Sequence, residues 1–182
     1  PSQGGADVES DGIALVPEDR QTEGAILDMT IAHNATLPSL GRVAPRGVLR
    51  PKEEEKLTDH YCTEMEVRAT SWQQLVNQLS GGNQQKVVLA KWLATEPQIL
   101  IMDEPTKGID VATKAAVHQF MSNLASEGIG VILVSSELPE ILGMSDRVIV
   151  MHEGLVTGEF SRDEATSENV MAVATGGISV GG

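Results

Sequence analysis

Two unbroken apolar runs constrain this chain most: "QILIMDEP" at Gln98–Pro105 and "IGVILVSSE" at Ile129–Glu137. Between them lies "DVATKAAVHQFMSNLASEG", a helical stretch ending at Gly128. Apolar residues in sequence without alternation suit a strand covered on both faces, and a helix joining two such strands is the crossover of a parallel pair. An earlier run, "GIALVP" at Gly12–Pro17, closes on a proline and reads as another buried strand. The expected fold is α/β, a mostly parallel sheet flanked by helices.

The stretch between the first two strands reads as helical. "TIAHNATLP" suggests a short helix capped by Thr30, and "PKEEEKLTDHYCTEMEV" places Pro51 and several acids in a first turn, where the helix dipole favours them. The run Glu53–Glu55 reads as a solvated helix face rather than a metal site. Past Asn83, "NQQKVVLAKWLATE" is apolar nearly all round and should form a buried helix ending before Pro97. A helical subdomain of about 30–95 is thus expected inside a partial domain spanning 1–182. Beyond the last unbroken run, "DRVIVMHEGLVTGEF" alternates about Glu153 and Gly154 as a hairpin does, and "SRDE" at Ser161–Glu164 has the spacing of a capping box opening a terminal helix. Residues 1–11 and 177–182 are polar and glycine-containing and are expected to fray.

Bulk properties narrow the function. A length of 182 residues fits one domain or most of one. A net charge of -13 argues against a nucleic-acid-binding stripe, because phosphate backbones are held by clustered Lys and Arg. The single cysteine, Cys62, cannot close an internal disulfide, which fits a reducing compartment. "VVLAKWLA" and "GVILV" fall far short of the roughly 20 apolar residues of a membrane span, so contact with a membrane would run through a partner.

In a parallel α/β sheet, ligands gather beyond the carboxyl ends of the strands. Asp103 and Glu104 end one strand here; Ser135, Ser136 and Glu137 end another. Paired carboxylates at such an edge suit a nucleotide site, the first holding magnesium and the second orienting an attacking water; the alternative is that Asp103 caps the turn at Pro105. The other candidate is "LSGGNQQK" at Leu79–Lys86. There Ser80, Gly81 and Gly82 precede a helix whose free N–H groups and dipole attract an anion, unless the glycines simply make a turn. A phosphate loop needs GxxxxGK[ST], yet none of Lys52, Lys56, Lys86, Lys91, Lys107 and Lys114 follows a glycine. The chain offers a carboxylate edge and an anion cradle without the loop that would hold a nucleotide between them.

That combination, in this order, resembles an ATP-binding cassette (ABC) ATPase domain from just after its P-loop to its end. "LSGGNQQK" is similar to the signature motif, "ILIMDE" to the Walker B strand and "KGID" (Lys107–Asp110) to the D-loop. "GIALVPEDRQTEG", "DEPTKGIDV" and "VSSELPEILGMSDRVIVMHEG" resemble, more closely still, the second cassette of tandem ATPase subunits of monosaccharide importers of the ribose, galactose and xylose type. The resemblance implies an ABC-type P-loop NTPase fold, present in part, with ATP and Mg2+ as cofactors. It implies Ser80, Gly81, Gly82, Gln84 and Asp110 at a nucleotide carried by a first cassette, with Asp103 toward the metal and Glu104 toward the water. It implies a transmembrane permease as partner, a sugar-binding protein indirectly, no nucleic acid, and a place on the cytoplasmic face of the inner membrane. Two positions depart from the general pattern. Glu18 stands where the Q-loop glutamine is usual, and Ser136 where the switch histidine is. Serine cannot take up a proton near neutral pH as imidazole does. Together with the missing P-loop, these departures weigh against hydrolysis at this chain's own edge. A regulatory or assembly module that keeps the fold, and a soluble ABC protein outside transport, are the other readings.

Overall fold

The computed structural model describes residues 12–176. The ends expected to fray lie outside those residues. The chain divides into two compact units that part between Val134 and Ser135, and each is described by itself.

The first unit holds a parallel sheet of β1 (Ile13–Val16), β2 (Ile99–Asp103) and β3 (Gly130–Val134), in that spatial order. Leu15, Ile101 and Ile132 lie abreast across it, as do Val16, Met102 and Leu133. Between β1 and β2 come α1 (Ile31–Thr36), the short α2 (Leu40–Val43), α3 (Pro51–Glu64) and α4 (Gly81–Leu93); α5 (Val111–Ser126) joins β2 to β3. Because β1 and β2 are neighbours in the sheet, everything from Pro17 to Gln98 is an insertion between adjacent strands. Thr30 caps α1 as expected, accepting the His33 N–H at 3.1 Å. In the insertion α1, α3 and α4 pack on one another around Ile31, Cys62, Val76, Val87 and Val88.

Two expectations need correction here. The acid run is not a solvated face throughout, because Glu54 is 6% exposed and accepts a hydrogen bond from the Thr36 hydroxyl at 3.3 Å. The buried stripe of α3 runs through Glu54, Thr58, Tyr61 and Cys62, spacings of four, three and one that share a helix face, so it crosses the middle of the run. The strands, in turn, are covered on one face only. Ala14, Val16, Leu100 and Met102 are buried on it, while Ile13, Leu15, Ile132 and Val134 on the other stand 38%, 47%, 51% and 48% exposed. The cause is topological: both crossovers step the same way across the sheet, and right-handed connections then put α4 and α5 on the same side. Apolar composition reports what a face needs, and the described residues supply half of it.

The second unit contains α6 (Leu138–Met144), β4 (Arg147–His152), β5 (Leu155–Ser161) and α7 (Ser167–Ala174). The hairpin turns where expected, with Glu153 at φ 48° and Gly154 at φ 82°, the pair of positive angles a two-residue type I′ turn requires. Helix α7 covers it, enclosing Val148, Val150, Phe160, Val170 and Val173. The "SRDE" stretch makes the hydrogen bonds of a capping box, with the Ser161 hydroxyl and N–H donating to Glu164 Oε2 at 2.6 and 3.1 Å. No helix follows directly. A single turn intervenes, and α7 starts at Ser167 under a different cap, Thr166, whose hydroxyl accepts the Asn169 N–H.

Candidate functional site

Two helix N-termini meet in the first unit. Ser80 is the cap of α4, in extended backbone, its Oγ accepting the Asn83 N–H at 3.4 Å and the Asn83 side-chain amide at 3.2 Å. The other end of that amide, Asn83 Oδ1, accepts the Arg68 N–H at 2.9 Å and so ties the cap to the strand of chain arriving from α3. Asp110 is the cap of α5. One carboxylate oxygen accepts the Thr113 N–H at 3.0 Å and the other the Thr113 hydroxyl at 2.7 Å. These bonds, the hydroxyl one first, hold the Asp110 carboxyl below its usual range.

The termini touch at Gly82. A Cβ added there would lie 2.7 Å from Thr113 Oγ1, closer than real Cβ atoms come, and a tight 3.1 Å from Thr113 Cγ2. Ser80, Gly82, Asp110 and Thr113 line one open groove of about 340 Å3, with Arg68 and Lys86 on its walls. Lys86 is turned to Glu66, donating to its carbonyl at 3.2 Å beside its carboxylate at 3.8 Å. Unpaired N–H groups and dipole ends directed at one concavity favour an anion.

The carboxylate edge lies at the C-terminal end of the sheet. Asp103 ends β2 and is half-buried; Glu104 follows with φ 45°, a left-handed backbone uncommon outside glycine, its N–H held by the Val134 carbonyl at 2.8 Å. Beyond β1, Glu18 Oε1 receives the Lys107 ammonium at 2.5 Å, in an exposed pair. That hydrogen bond raises the Lys107 pKa, helped by the charges of Glu18, Glu104 and Asp103. A lysine sits where a bound cation would be attracted. Among the described residues no group of three or more His, Cys, Asp or Glu is placed to hold a metal ion. The edge therefore does not fit a metal held by the protein alone.

The structure thus places the sequence candidates in separate settings. Ser80, Gly82 and Asp110 share a groove, with Gly81 the first residue of α4. Glu18, Asp103 and Glu104 surround Lys107 electrostatically. Ser136 belongs to the second unit and is exposed; its neighbour Ser135 is the structural serine there, donating to the buried Glu140 at 2.5 Å and accepting the Glu137 N–H. Gln84 differs from expectation. It is 6% exposed, and its amide donates to the Val76 and Leu79 carbonyls, both at 3.2 Å, so it braces the loop before α4 from inside. Alternation of helix faces accounts for this, since Gln84 falls on the side of α4 that also buries Val87, Val88 and Lys91. Sequence reasoning missed Thr113. The signal was available in Asp110-x-x-Thr113, a helix-start spacing one turn long.

The sequence profile of the ABC transporter family matches residues 6–107. A ribose import ATP-binding protein of Roseobacter denitrificans is 54% identical across 94% of this chain and 34% of its own length. A second, from Rhizobium meliloti, is 56% identical across 91% and 33%. The chain spans about a third of the curated relatives it matches. Among solved structures, a dimeric ATP-binding cassette in a post-hydrolysis state with ADP and Pi superposes with TM-score 0.71 at 26% identity, over 85% of this chain and 66% of that one. Another, cbiO1 of Clostridium perfringens, part of the ABC transporter complex cbiONQ, gives 0.71 at 22% identity over 89% of this chain and 62% of that one, and supports the fold alone.

Proposed function

This chain belongs to the ABC transporter family, and on that premise we propose that it is the signature-bearing part of a sugar importer's second cassette, completing in trans an ATP site whose phosphate loop another cassette provides. One observation carries the reading: two capped helix N-termini converge on a groove containing Ser80 and Gly82. Such a groove offers N–H groups and a hydroxyl to a terminal phosphate. ATP and Mg2+ then arrive on the partner cassette, and Ser80, Gly81 and Gly82 meet the γ-phosphate. Preorganised donors of this kind stabilise charge that develops in the transition state.

The carboxylate edge fits a supporting role. Glu18 is engaged by Lys107, Ser136 has no proton-accepting ring, and the local acids form no metal cage. The relatives are named for ribose import, so ribose or a related monosaccharide is the proposed cargo, selected by permease and binding protein. Among the described residues no helix is long and apolar enough to cross a membrane, which suits peripheral attachment to a permease on the cytoplasmic face, the helical subdomain of about 30–95 making the contact.

Calorimetric titration tests the proposal. The chain alone should bind Mg-ATP no tighter than about millimolar, and adding a first cassette from such an importer should produce turnover neither piece shows alone. Tight Mg-ATP binding by the isolated chain, or a first cassette bound without any gain in turnover, would refute it; the second outcome would favour an assembly module.

A further inference from the structure

The two helix N-termini are locked together more tightly than an anion site alone requires. Thr113 donates two hydrogen bonds to the Asp110 carboxylate, at 3.0 Å from its N–H and 2.7 Å from its hydroxyl, which fixes its rotamer. Its Oγ1 and Cγ2 then occupy the space in which a side chain on residue 82 would begin. Asp110 thus sets the position of the group that meets α4.

We infer that Thr113 is a positioning residue for the first turn of α4: Asp110 orients Thr113, Thr113 seats Gly82, and the absence of a side chain at residue 82 is demanded by Thr113 as well as by any ligand. A displacement of the Asp110 loop is then passed to the anion cradle through the contact of Thr113 with Gly82, so a partner that moves Asp110 also moves Ser80 and Gly82. The consequence for turnover rests on the trans reading above; the contact itself does not.

The complementation this predicts is specific. Gly82→Ala pushes a methyl group into Thr113, Thr113→Ala leaves a gap, and the double variant exchanges one for the other. Amide hydrogen exchange at Asn83, Gln84 and Gln85 in the full chain reads the first turn directly. Gly82→Ala and Thr113→Ala should each speed exchange there about tenfold, Thr113→Ser should leave it unchanged, and Gly82→Ala with Thr113→Ala should return within about threefold of the parent. Asp110→Ala should also speed exchange, with no further effect in the Thr113→Ala background. A double variant as fast as Gly82→Ala, or an Asp110 effect that persists without Thr113, overturns the inference.

Turnover with a first cassette forms the second arm. Restored exchange accompanied by restored turnover supports positioning as the glycine's functional role. Restored exchange without restored turnover, when Ser80→Arg is inactive, overturns that role. A Ser80→Arg variant that turns over normally refutes the trans reading instead, and exchange alone then decides the contact.

Discussion

Lys91 Nζ donates to the Gly24 carbonyl at 2.9 Å, tying the last turn of α4 to the loop that follows β1. The residue is buried, at 7% exposure, and its ammonium lies 5.0 Å from the centre of the Trp92 ring. The C-terminal end of a helix is a favourable place for a cation, and the aromatic face adds to it. Burial nevertheless lowers the Lys91 pKa.

The sign of the resulting pH dependence follows directly. Between the lowered folded pKa and the ordinary lysine value of 10.5 the unfolded chain binds the extra proton, so this lysine makes the fold more stable as pH rises toward that value. Lys91→Met should remove the trend: the stability of the parent minus that of the variant, from urea unfolding, should increase between pH 8 and 10. Lys91→Ala, which also orphans the Gly24 carbonyl and strips the packed stem, should destabilise by about 2 kcal/mol.

Cys62 should act in the opposite direction. It is fully buried in the helical insertion, and desolvation pushes its thiol from 9.0 up to about 12. Above pH 9 the unfolded chain loses this proton while the folded chain keeps it, so stability falls, by about 1 kcal/mol for each pH unit. Cys62→Ala should abolish that fall. Alkylation of the native protein at pH 8 should be slow and should accelerate in step with unfolding by denaturant.

In the second unit, Gly158 is a packing glycine. A Cβ there would meet Val173 Cγ2 at 2.9 Å and Phe160 Cε2 at 3.0 Å, where α7 lies on the hairpin. Gly158→Ala should therefore destabilise by about 1–3 kcal/mol through overpacking, measured by thermal unfolding. Restoration by Val173→Ala in the same background would locate the clash between these two residues.

How much was legible in the sequence depends on the range of the interaction that fixed each feature. The strands β1, β2 and β3, the cap at Thr30 and the turn at Glu153–Gly154 follow from neighbours within a few residues, and the structure has them. Ser80 likewise proclaims itself as a cap followed by a buried helix. Features decided across the fold were not legible. Whether Gln84 faces a ligand or the loop at Val76 depends on the rotation of α4 against the insertion. Glu54 looks identical to Glu53 and Glu55 until α1 packs on α3 and brings Thr36 beside it. The open face of the sheet shows the same limit, because an apolar run states that cover is needed without saying what supplies it. The contact of Thr113 with Gly82 joins two segments about thirty residues apart, and only coordinates reveal it.

The central claim is that the Ser80 end of α4 acts on a nucleotide carried by another cassette. The most direct measurement is ATP turnover by a first cassette joined with this chain, parent against Ser80→Arg, with Ser80→Thr retaining the hydroxyl and thermal unfolding confirming that each variant is folded. Loss of a preorganised donor together with a guanidinium filling the groove should lower turnover at least about a hundredfold in Ser80→Arg, while Ser80→Thr stays within about tenfold of the parent. A folded Ser80→Arg chain that supports turnover at the parental rate would contradict the account.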